Sequence, residues 1–170
     1  MRLLVDDFFM RSAEAVVDED GIVDHFLGDA VMAFFNVPIR REDHVQRAVR
    51  VAQEIQRFMP ELNELAGDNG GLAVGIGVAT GLAYAGVVGS TSCNDYTALG
   101  STVNVASRLQ GAASGGEIIL EEQVYAKVRA SFPDAERQVV NLKGIKEPVI
   151  AYLVRASKPP VKEAAHGAQI

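Results

Sequence analysis

Cysteine, basic residues and long apolar runs are scarce in this sequence of 170 residues. The single cysteine, Cys93, excludes a disulfide within the chain, so a reducing compartment is expected. Acidic residues outnumber basic ones by 22 to 16, and a net charge of −6 argues against a nucleic-acid surface. No apolar run reaches the ~20 residues that a membrane span needs, and no signal-peptide leader opens the sequence. We therefore expect a soluble, cytoplasmic protein.

What the sequence does contain is enough apolar residues, 48%, to bury the core of one domain. We place this domain at residues 1–156. Residues 157–170 mix prolines with small and charged residues and show no apolar period, so we expect a disordered C-terminal tail.

Four segments are predicted to be helices, chiefly because apolar side chains recur at helical spacing. The segments are Leu3 to Val17, Asp43 to Met59, Ser101 to Gln110 and Glu121 to Ala130. Pro60 is expected to end or kink the second helix. The arginines of that helix, Arg47, Arg50 and Arg57, are expected to form only a solvated face.

A first hairpin is predicted around the turn Gly28-Asp29, which joins the apolar strands Ile22 to Leu27 and Val31 to Phe35. Asp29 then lies at the tip of a buried hairpin, where a catalytic metal ligand can sit. The alternative is that Asp29 is only a turn residue.

Glycines alternate with branched residues from Val74 to Ala79, which predicts a strand with one bulky face and one nearly bare face. A ligand or another backbone can approach the bare face. Thr80-Gly81 is expected to turn this strand into a hairpin with Leu82 to Val88, followed by a polar loop from Gly89 to Asn94. Further strands are predicted at Glu117 to Leu120, Val139 to Leu142 and Val149 to Val154. The domain is therefore mixed α/β or α+β.

On the helix from Ser101 to Gln110, three polar residues fall on one face, namely Asn104, Ser107 and Arg108. An amide and a guanidinium are thus presented one turn apart. Taken alone, such a pair is more often an ordinary surface feature than a site.

Two runs together, Phe26 to Phe35 and Asp95 to Leu109, resemble the catalytic domain of class III nucleotidyl cyclases. The similarity extends from roughly Leu4 to Val154 and includes the run from Gly115 to Ile119 and the Leu-Lys-Gly-Ile segment that begins at Leu142. The resemblance implies an α+β fold, the ferredoxin-like or palm-like fold of that family, with a mixed sheet and flanking helices.

The same resemblance implies a role for each candidate site residue. Asn104 would orient the ribose, and Arg108 would stabilise charge on the reacting phosphate. Asp29 would bind one or both of two divalent cations, Mg²⁺ or Mn²⁺. Lys143 would approach the nucleotide phosphates, although a solvated turn lysine is about as plausible.

Two further positions correspond to the residues that select the purine base in that family. Thr97 fits adenine. His25 does not indicate the base, because a neutral imidazole donates or accepts according to its tautomer. It is equally compatible with a strand histidine that contacts no ligand.

The sequence departs from the family where the first metal-binding aspartate is expected, on a strand before the first helix. No residue matches it, and the loss of this central strand is expected to leave its neighbours unpaired. A start codon assigned too late, a truncated gene with an inert product, and a strand supplied by a partner would each explain this. The first is favoured, since the remaining core pattern is intact.

The leading hypothesis is an adenylate cyclase domain that converts ATP into cyclic AMP and pyrophosphate. It implies a head-to-tail homodimer in which Asp29 and His25 of one chain face Asn104 and Arg108 of the other. The alternative is a catalytically silent cyclase-like module that binds a nucleotide or pairs with another cyclase chain. A ferredoxin-like nucleic-acid binder and a diguanylate cyclase are disfavoured by the acidic charge and by the Gly28-Asp29-Ala30 turn, respectively.

Overall fold

The computed structural model describes residues 2–27, 30–67, 71–90, 93–142, 144 and 147–155. In chain order the elements are α1 (Arg2–Asp18), β1 (Ile22–Leu27), β2 (Ala30–Phe34), α2 (His44–Ala66), β3 (Ile76–Val78), β4 (Tyr84–Ser90), β5 (Cys93–Leu99), α3 (Ser101–Ala112), β6 (Glu117–Glu121), α4 (Glu122–Val128), β7 (Glu136–Val140) and β8 (Val149–Arg155). A short 3₁₀ helix, Arg129–Ser131, follows α4. The expected α+β class, with a mixed sheet and flanking helices, is confirmed.

The central sheet has the strand order β3-β6-β8-β7, in which β3 and β6 are parallel and the other pairs are antiparallel. Strand β6 is buried on both faces, as its continuous apolar run requires. Ile118 and Leu120 pack with residues of α2 and α4, whereas Ile119 packs with Leu109 of α3. The sheet therefore separates α3 from the layer that contains α2 and α4.

The other core cluster joins α1 to α2 and supports the β1–β2 hairpin. Phe8, Val16 and Leu62 are among its buried members, and Val23 and Val31 pack against it. Strands β1 and β2 pair antiparallel, as predicted. The turn between them, including Asp29, lies outside the described residues.

Helix α2 continues through Pro60 to Ala66, so the prediction that it ends near Met59 is wrong. Proline removes one helical hydrogen bond. Phe58, Met59 and Leu62, which flank it, are 4%, 5% and 0% exposed. Burial of these side chains offsets the lost bond and keeps the last turns helical.

The prediction that the arginines of α2 form only a solvated face is wrong for Arg47 and Arg50. Arg50 donates to both carboxylate oxygens of Glu19 at 2.7 Å, and Arg47 donates to Asp43 at 2.9 Å and to Asp20 at 3.0 Å. The hydrogen bond from Arg50 holds the pKa of Glu19 below its ordinary value. These arginines therefore tie α2 to the turn after α1 and are not merely solvated.

The predicted hairpin between the strands near Val74 and Leu82 is wrong. Strand β3 is short and pairs in parallel with β6, while β4 pairs antiparallel with β5 in register from Tyr84↔Leu99 to Ser90↔Cys93. Residues of the predicted loop, 89, 90, 93 and 94, thus belong to strands. The backbone N–H of Thr80 donates to Glu121 at 3.0 Å, which directs the chain away from β3 after the strand ends.

The bare face of β3 receives a backbone, one of the two alternatives left open by the sequence. A Cβ atom on Gly77 would lie 2.3 Å from the backbone nitrogen of Gln110 and 2.4 Å from the carbonyl oxygen of Ala106. A Cβ atom on Gly75 would lie 2.4 Å from the carbonyl oxygen of Ala113. Helix α3 therefore packs against the sheet at a distance that only glycine permits.

In the described part of the chain, β3 lies at an edge of the central sheet and the β1–β2 hairpin forms a separate sheet. The predicted tail, 157–170, lies outside the described residues. Among the described helices, none is both long and apolar enough to cross a membrane.

Candidate functional site

Helix α3 presents the polar face that its sequence predicts. Asn104, Ser107 and Arg108 are exposed, whereas Leu109 is fully buried against the central sheet. The helix begins directly after β5, where Gly100 has a φ of 148°, a conformation that side chains rarely adopt. Gly100 thus allows the abrupt change of direction that starts α3 next to β5.

The guanidinium of Arg108 has no carboxylate partner among the described residues, and the amide of Asn104 makes no side-chain hydrogen bond there. Ion pairs involve Arg11, Arg41, Arg47, Arg50, Arg57 and Arg155. Arg40, Arg129 and Arg137 share with Arg108 the lack of an ion pair among the described residues, and Arg108 differs from them in lying one turn from Asn104 on the polar face of α3. In a chain with an acidic balance, an exposed and unmatched guanidinium is available for an anionic ligand outside the chain.

The two predicted base-binding residues, His25 and Thr97, are brought together by a residue that sequence reasoning missed. Thr97 on β5 donates its hydroxyl hydrogen to Oδ2 of Asp24 at 2.8 Å. Nδ1 of His25 lies 2.7 Å from Oδ1 of the same carboxylate. That oxygen has no aligned hydrogen-bond donor among the described residues, so the His25 contact is a close approach and not a well-aligned bond.

Asp24, His25 and Thr97, which we call the Asp24 triad, are buried to different extents. The Asp24 side chain is 0% exposed and Thr97 is 8% exposed, whereas the His25 side chain is 42% exposed. Asp24 is therefore the interior member of the triad, and His25 is the member that solvent reaches most easily.

A β-bulge explains why neighbouring side chains contact each other. The register runs from Val23↔Ala33 to Phe26↔Val31, so Asp24 and His25 together oppose Met32. In a regular strand these two side chains would point to opposite faces, but a bulge bends the strand and redirects them. One signal was visible in the sequence: a carboxylate within an apolar strand needs a partner.

The remaining predicted site residues, Asp29 and Lys143, lie outside the described residues. Within the ranges that the structure describes, no group of three or more His, Cys, Asp or Glu side chains is arranged to hold a metal ion. The described residues therefore do not fit a divalent-cation site by themselves.

The β4–β5 hairpin carries an exposed apolar surface. Val87 is 60% exposed, Tyr84 58%, Leu99 49% and Tyr96 43%, and Leu82, just before β4, is 94% exposed. Tyr84 and Leu99 are opposite each other in the strand pairing, as are Val87 and Tyr96, so each face of the hairpin carries an exposed apolar pair. Exposed apolar side chains of this kind are typical of a site where another protein chain packs.

Comparison with known proteins assigns the chain to a family. A family model described as "Adenylate and Guanylate cyclase catalytic domain" matches residues 9–156. The chain is 30% identical over 159 residues to an adenylate cyclase of Anabaena cylindrica, covering 89% of the chain and 32% of the relative. It is 35% identical over 139 residues to an adenylate cyclase of Mycobacterium tuberculosis strain H37Rv, covering 81% of the chain and 31% of the relative.

Solved structures give the same result. The adenylyl cyclase CyaB from P. aeruginosa matches with a TM-score of 0.80 at 26% identity, covering 91% of this chain and 82% of that one. The guanylyl cyclase Cya2 matches with a TM-score of 0.80 at 27% identity, covering 94% and 82%. The chain spans between 16% and 32% of the length of its first curated relatives.

Proposed function

This chain belongs to the family of adenylate and guanylate cyclase catalytic domains, and on that premise we propose that it converts ATP into cyclic AMP and pyrophosphate. Formation of a cyclic nucleotide is consistent with the family, and the choice of ATP is the proposal. The observation that carries it is the unmatched guanidinium of Arg108 on the exposed face of α3, one turn from Asn104. The curated relatives named adenylate cyclases support ATP over GTP.

The reaction is an in-line displacement at the α-phosphate. The ribose 3′-oxygen forms a bond to the α-phosphorus, the bond from that phosphorus to the bridging oxygen of the β-phosphate breaks, and pyrophosphate leaves with the electron pair. The 3′-hydroxyl loses its proton to solvent. Negative charge grows on the oxygens around the α-phosphorus, and the planar, permanently charged Arg108 stabilises it. Asn104 holds the ribose so that its 3′-oxygen is aligned for attack.

The adenine is assigned to His25 and Thr97. Because Asp24 contacts both, we place the two base-binding residues in the same chain. The family resemblance implies that His25 and Asp29 of one chain face Asn104 and Arg108 of the other across a dimer interface. That arrangement stays a prediction.

Lys143 is assigned to the triphosphate and Asp29 to a divalent cation. Class III cyclases generally use divalent metal ions, which neutralise phosphate charge and activate the attacking hydroxyl. The described residues by themselves do not form a complete metal site.

The active form is proposed to be a homodimer. Exposed apolar side chains of the β4–β5 hairpin, including Tyr84 on one face and Val87 on the other, support a second chain packing against this hairpin. A composite site at such an interface would make activity depend on protein concentration. Sedimentation of the purified chain, with Val87→Glu as the variant that disrupts the surface, tests this assembly.

The first experiment measures cyclic AMP and cyclic GMP formed from ATP and GTP by the purified chain with Mn²⁺ or Mg²⁺. Arg108→Ala should abolish product formation. The matched control is Arg137→Ala on β7, which removes an exposed arginine at the opposite edge of the central sheet from β3, where α3 packs. Equal activity of the wild type and Arg108→Ala would refute the proposed role of Arg108.

A second candidate function is a catalytically silent module that binds a nucleotide or pairs with another cyclase chain. Such a module would retain Asn104 and Arg108 for binding the nucleotide without turning it over. Tight binding of ATP without any cyclic product, under all metal conditions, would identify this function. Product formation that requires Arg108 would exclude it.

A further inference from the structure

We propose that Asp24 is a positioning residue that makes the nucleotide site selective for adenine by fixing the hydroxyl hydrogen of Thr97. This inference rests on the proposed function, because it concerns the base of the same nucleotide. It assigns a role to a residue that neither the sequence pattern nor the family comparison singled out.

The geometry supplies the first step. The Asp24 side chain is completely buried between β1 and β5, and its Oδ2 accepts the Thr97 hydrogen at 2.8 Å. Asp24 and Thr97 are separated by 73 positions, so the contact belongs to the folded domain and not to a local turn. The β-bulge at Asp24 and His25 is the backbone feature that directs this carboxylate to β5.

The second step is the hydrogen-bonding capacity of the hydroxyl. A threonine hydroxyl has one hydrogen and two lone pairs. When a carboxylate takes the hydrogen, the hydroxyl retains only acceptor capacity toward a ligand. Thr97 is therefore an acceptor on the remaining 8% of its surface that is exposed.

The third step is the chemistry of the two purines. Adenine carries an amino group at position 6, which donates hydrogen bonds, whereas guanine carries a carbonyl oxygen, which accepts them. An acceptor-only hydroxyl binds the adenine amino group and leaves the guanine oxygen unpaired. Asp24 contacts neither base, since it acts through Thr97.

The test measures kcat/KM for ATP and for GTP with the full chain and Mn²⁺. Asp24→Asn replaces an acceptor-only group with an amide that donates to Thr97 and frees its hydrogen for guanine. The ATP-over-GTP ratio should fall about tenfold, which is the worth of one hydrogen bond between neutral groups. Asp134→Asn, which removes an exposed carboxylate after α4, is the matched control and should leave the ratio unchanged.

A double-mutant cycle separates positioning from a structural role. In a Thr97→Val background, Asp24→Asn should no longer change the ratio, because the hydroxyl through which Asp24 acts is gone. Asp24→Glu keeps the carboxylate and should retain the preference for ATP. A structural role would instead lower kcat/KM for both nucleotides equally, and that outcome would overturn the proposal.

Two binding measurements do not depend on catalysis, and the first of them uses no variant. Wild-type protein should bind inosine triphosphate, whose base has an oxygen at position 6, at least about tenfold more weakly than ATP, and equal binding would overturn the proposal. Binding of 3′-deoxy-ATP and 3′-deoxy-GTP, which lack the attacking hydroxyl, gives the same ratio without turnover. If these analogues reproduce the adenine preference and its loss in Asp24→Asn while no cyclic product forms, the proposed function fails and the inference on Asp24 stands. If neither analogue binds, both fail.

Discussion

Helix α2 carries three arginines and helix α3 carries one, Arg108, and the surroundings of these side chains differ. On α2, Arg47 and Arg50 reach Glu19, Asp20 and Asp43 at distances between 2.7 and 3.0 Å. On α3, Arg108 has no anionic partner among the residues that the structure describes. The same residue type on the outer face of a helix therefore stabilises tertiary structure in α2 and has no such role among the described residues in α3.

Helices α2 and α3 also differ in how they pack against the rest of the domain. Helix α2 buries large side chains such as Phe58 and Leu62 in a core shared with α1. Helix α3 packs its backbone closely against the glycines of β3, with Leu109 as its fully buried side chain. Close backbone packing favours a rigid α3. A rigid helix holds the Arg108 guanidinium, which is unmatched among the described residues, in a fixed position for an external phosphate.

The largest expected difference between the two helices is in catalysis. Arg108→Ala should lower kcat by at least about 100-fold, which is typical for loss of a group that stabilises transition-state charge. Because Arg108 is exposed and has no ion pair with any residue that the structure describes, the melting temperature should not change. Arg50→Ala should do the reverse, lowering the melting temperature and leaving kcat intact. Calorimetry together with product assays measures both, and a large loss of stability in Arg108→Ala would break the comparison.

A mixing experiment tests whether α3 acts on a nucleotide bound partly by another chain. Asp29→Asn and Arg108→Ala should each be inactive alone. Mixed in equal amounts, they should regain about a quarter of wild-type activity, since half of the dimers are mixed and one of their two sites is intact. No recovery after verified exchange of chains would argue that both residues serve the same protomer's site.

The close packing of α3 on β3 is tested by adding one methyl group. Gly77→Ala places a Cβ atom 2.3 Å from the backbone of Gln110, so α3 must shift, at a cost of about 2 kcal/mol in the free energy of unfolding. Activity should fall as well, because Arg108 moves with its helix. Gly111→Ala is the control: nothing lies within 4 Å of the added atom, and helix propensity should raise stability by up to about 1 kcal/mol. Denaturant unfolding of both variants provides the measurement.

The smallest effect concerns the ion pair that anchors α2. Glu19→Gln should lower the free energy of unfolding by about 0.5 kcal/mol at neutral pH, since the pair is partly exposed. The hydrogen bond from Arg50 lowers the pKa of Glu19 below 4.5 in the folded protein. The stabilisation is therefore complete above the unfolded value and is lost as the pH falls through the folded one. Below pH 4.5 the difference between wild type and variant should shrink toward zero.

The control for this pH series is Glu64→Gln, which removes a carboxylate that pairs with no cation in the described part of α2. Its effect on stability should be near zero and independent of pH. A pH-independent difference for Glu19→Gln would show that the ion pair is not its cause. High salt should reduce the Glu19 effect further, because the pair is accessible to counterions.

Much of the fold could be predicted from the sequence, because periodicity is a local property. The bounds of α1, β1, β2, α3 and β6 agree with the predicted segments to within two residues, and the exposed face of α3 has the predicted members. The hairpin between β3 and β4 was wrongly predicted because neighbouring strands were assumed to pair. Strand β3 instead pairs with β6, about 40 positions later, an arrangement that depends on core packing.

The candidate site, too, could be predicted from the sequence only in part. Helical spacing placed Asn104 and Arg108 on one face of α3, whereas their roles, and the choice of Thr97 and His25, came from the family resemblance and stay predictions. Asp24 could not be assigned a partner, because the bulge that redirects it has no clear sequence signature.

The sequence by itself therefore determined which segments are helical, which face of α3 is polar, and to which family the chain is similar, since each follows from residues close together in the chain. Only the tertiary structure decided that the arginines of α2 are paired while Arg108 has no ion pair in the described part of the chain, and that Asp24 contacts both His25 and Thr97. Glu19 and Arg50 are 31 positions apart and Asp24 and Thr97 are 73 positions apart. Such contacts form when burial in a common core brings distant segments within hydrogen-bonding distance, and no local pattern encodes them.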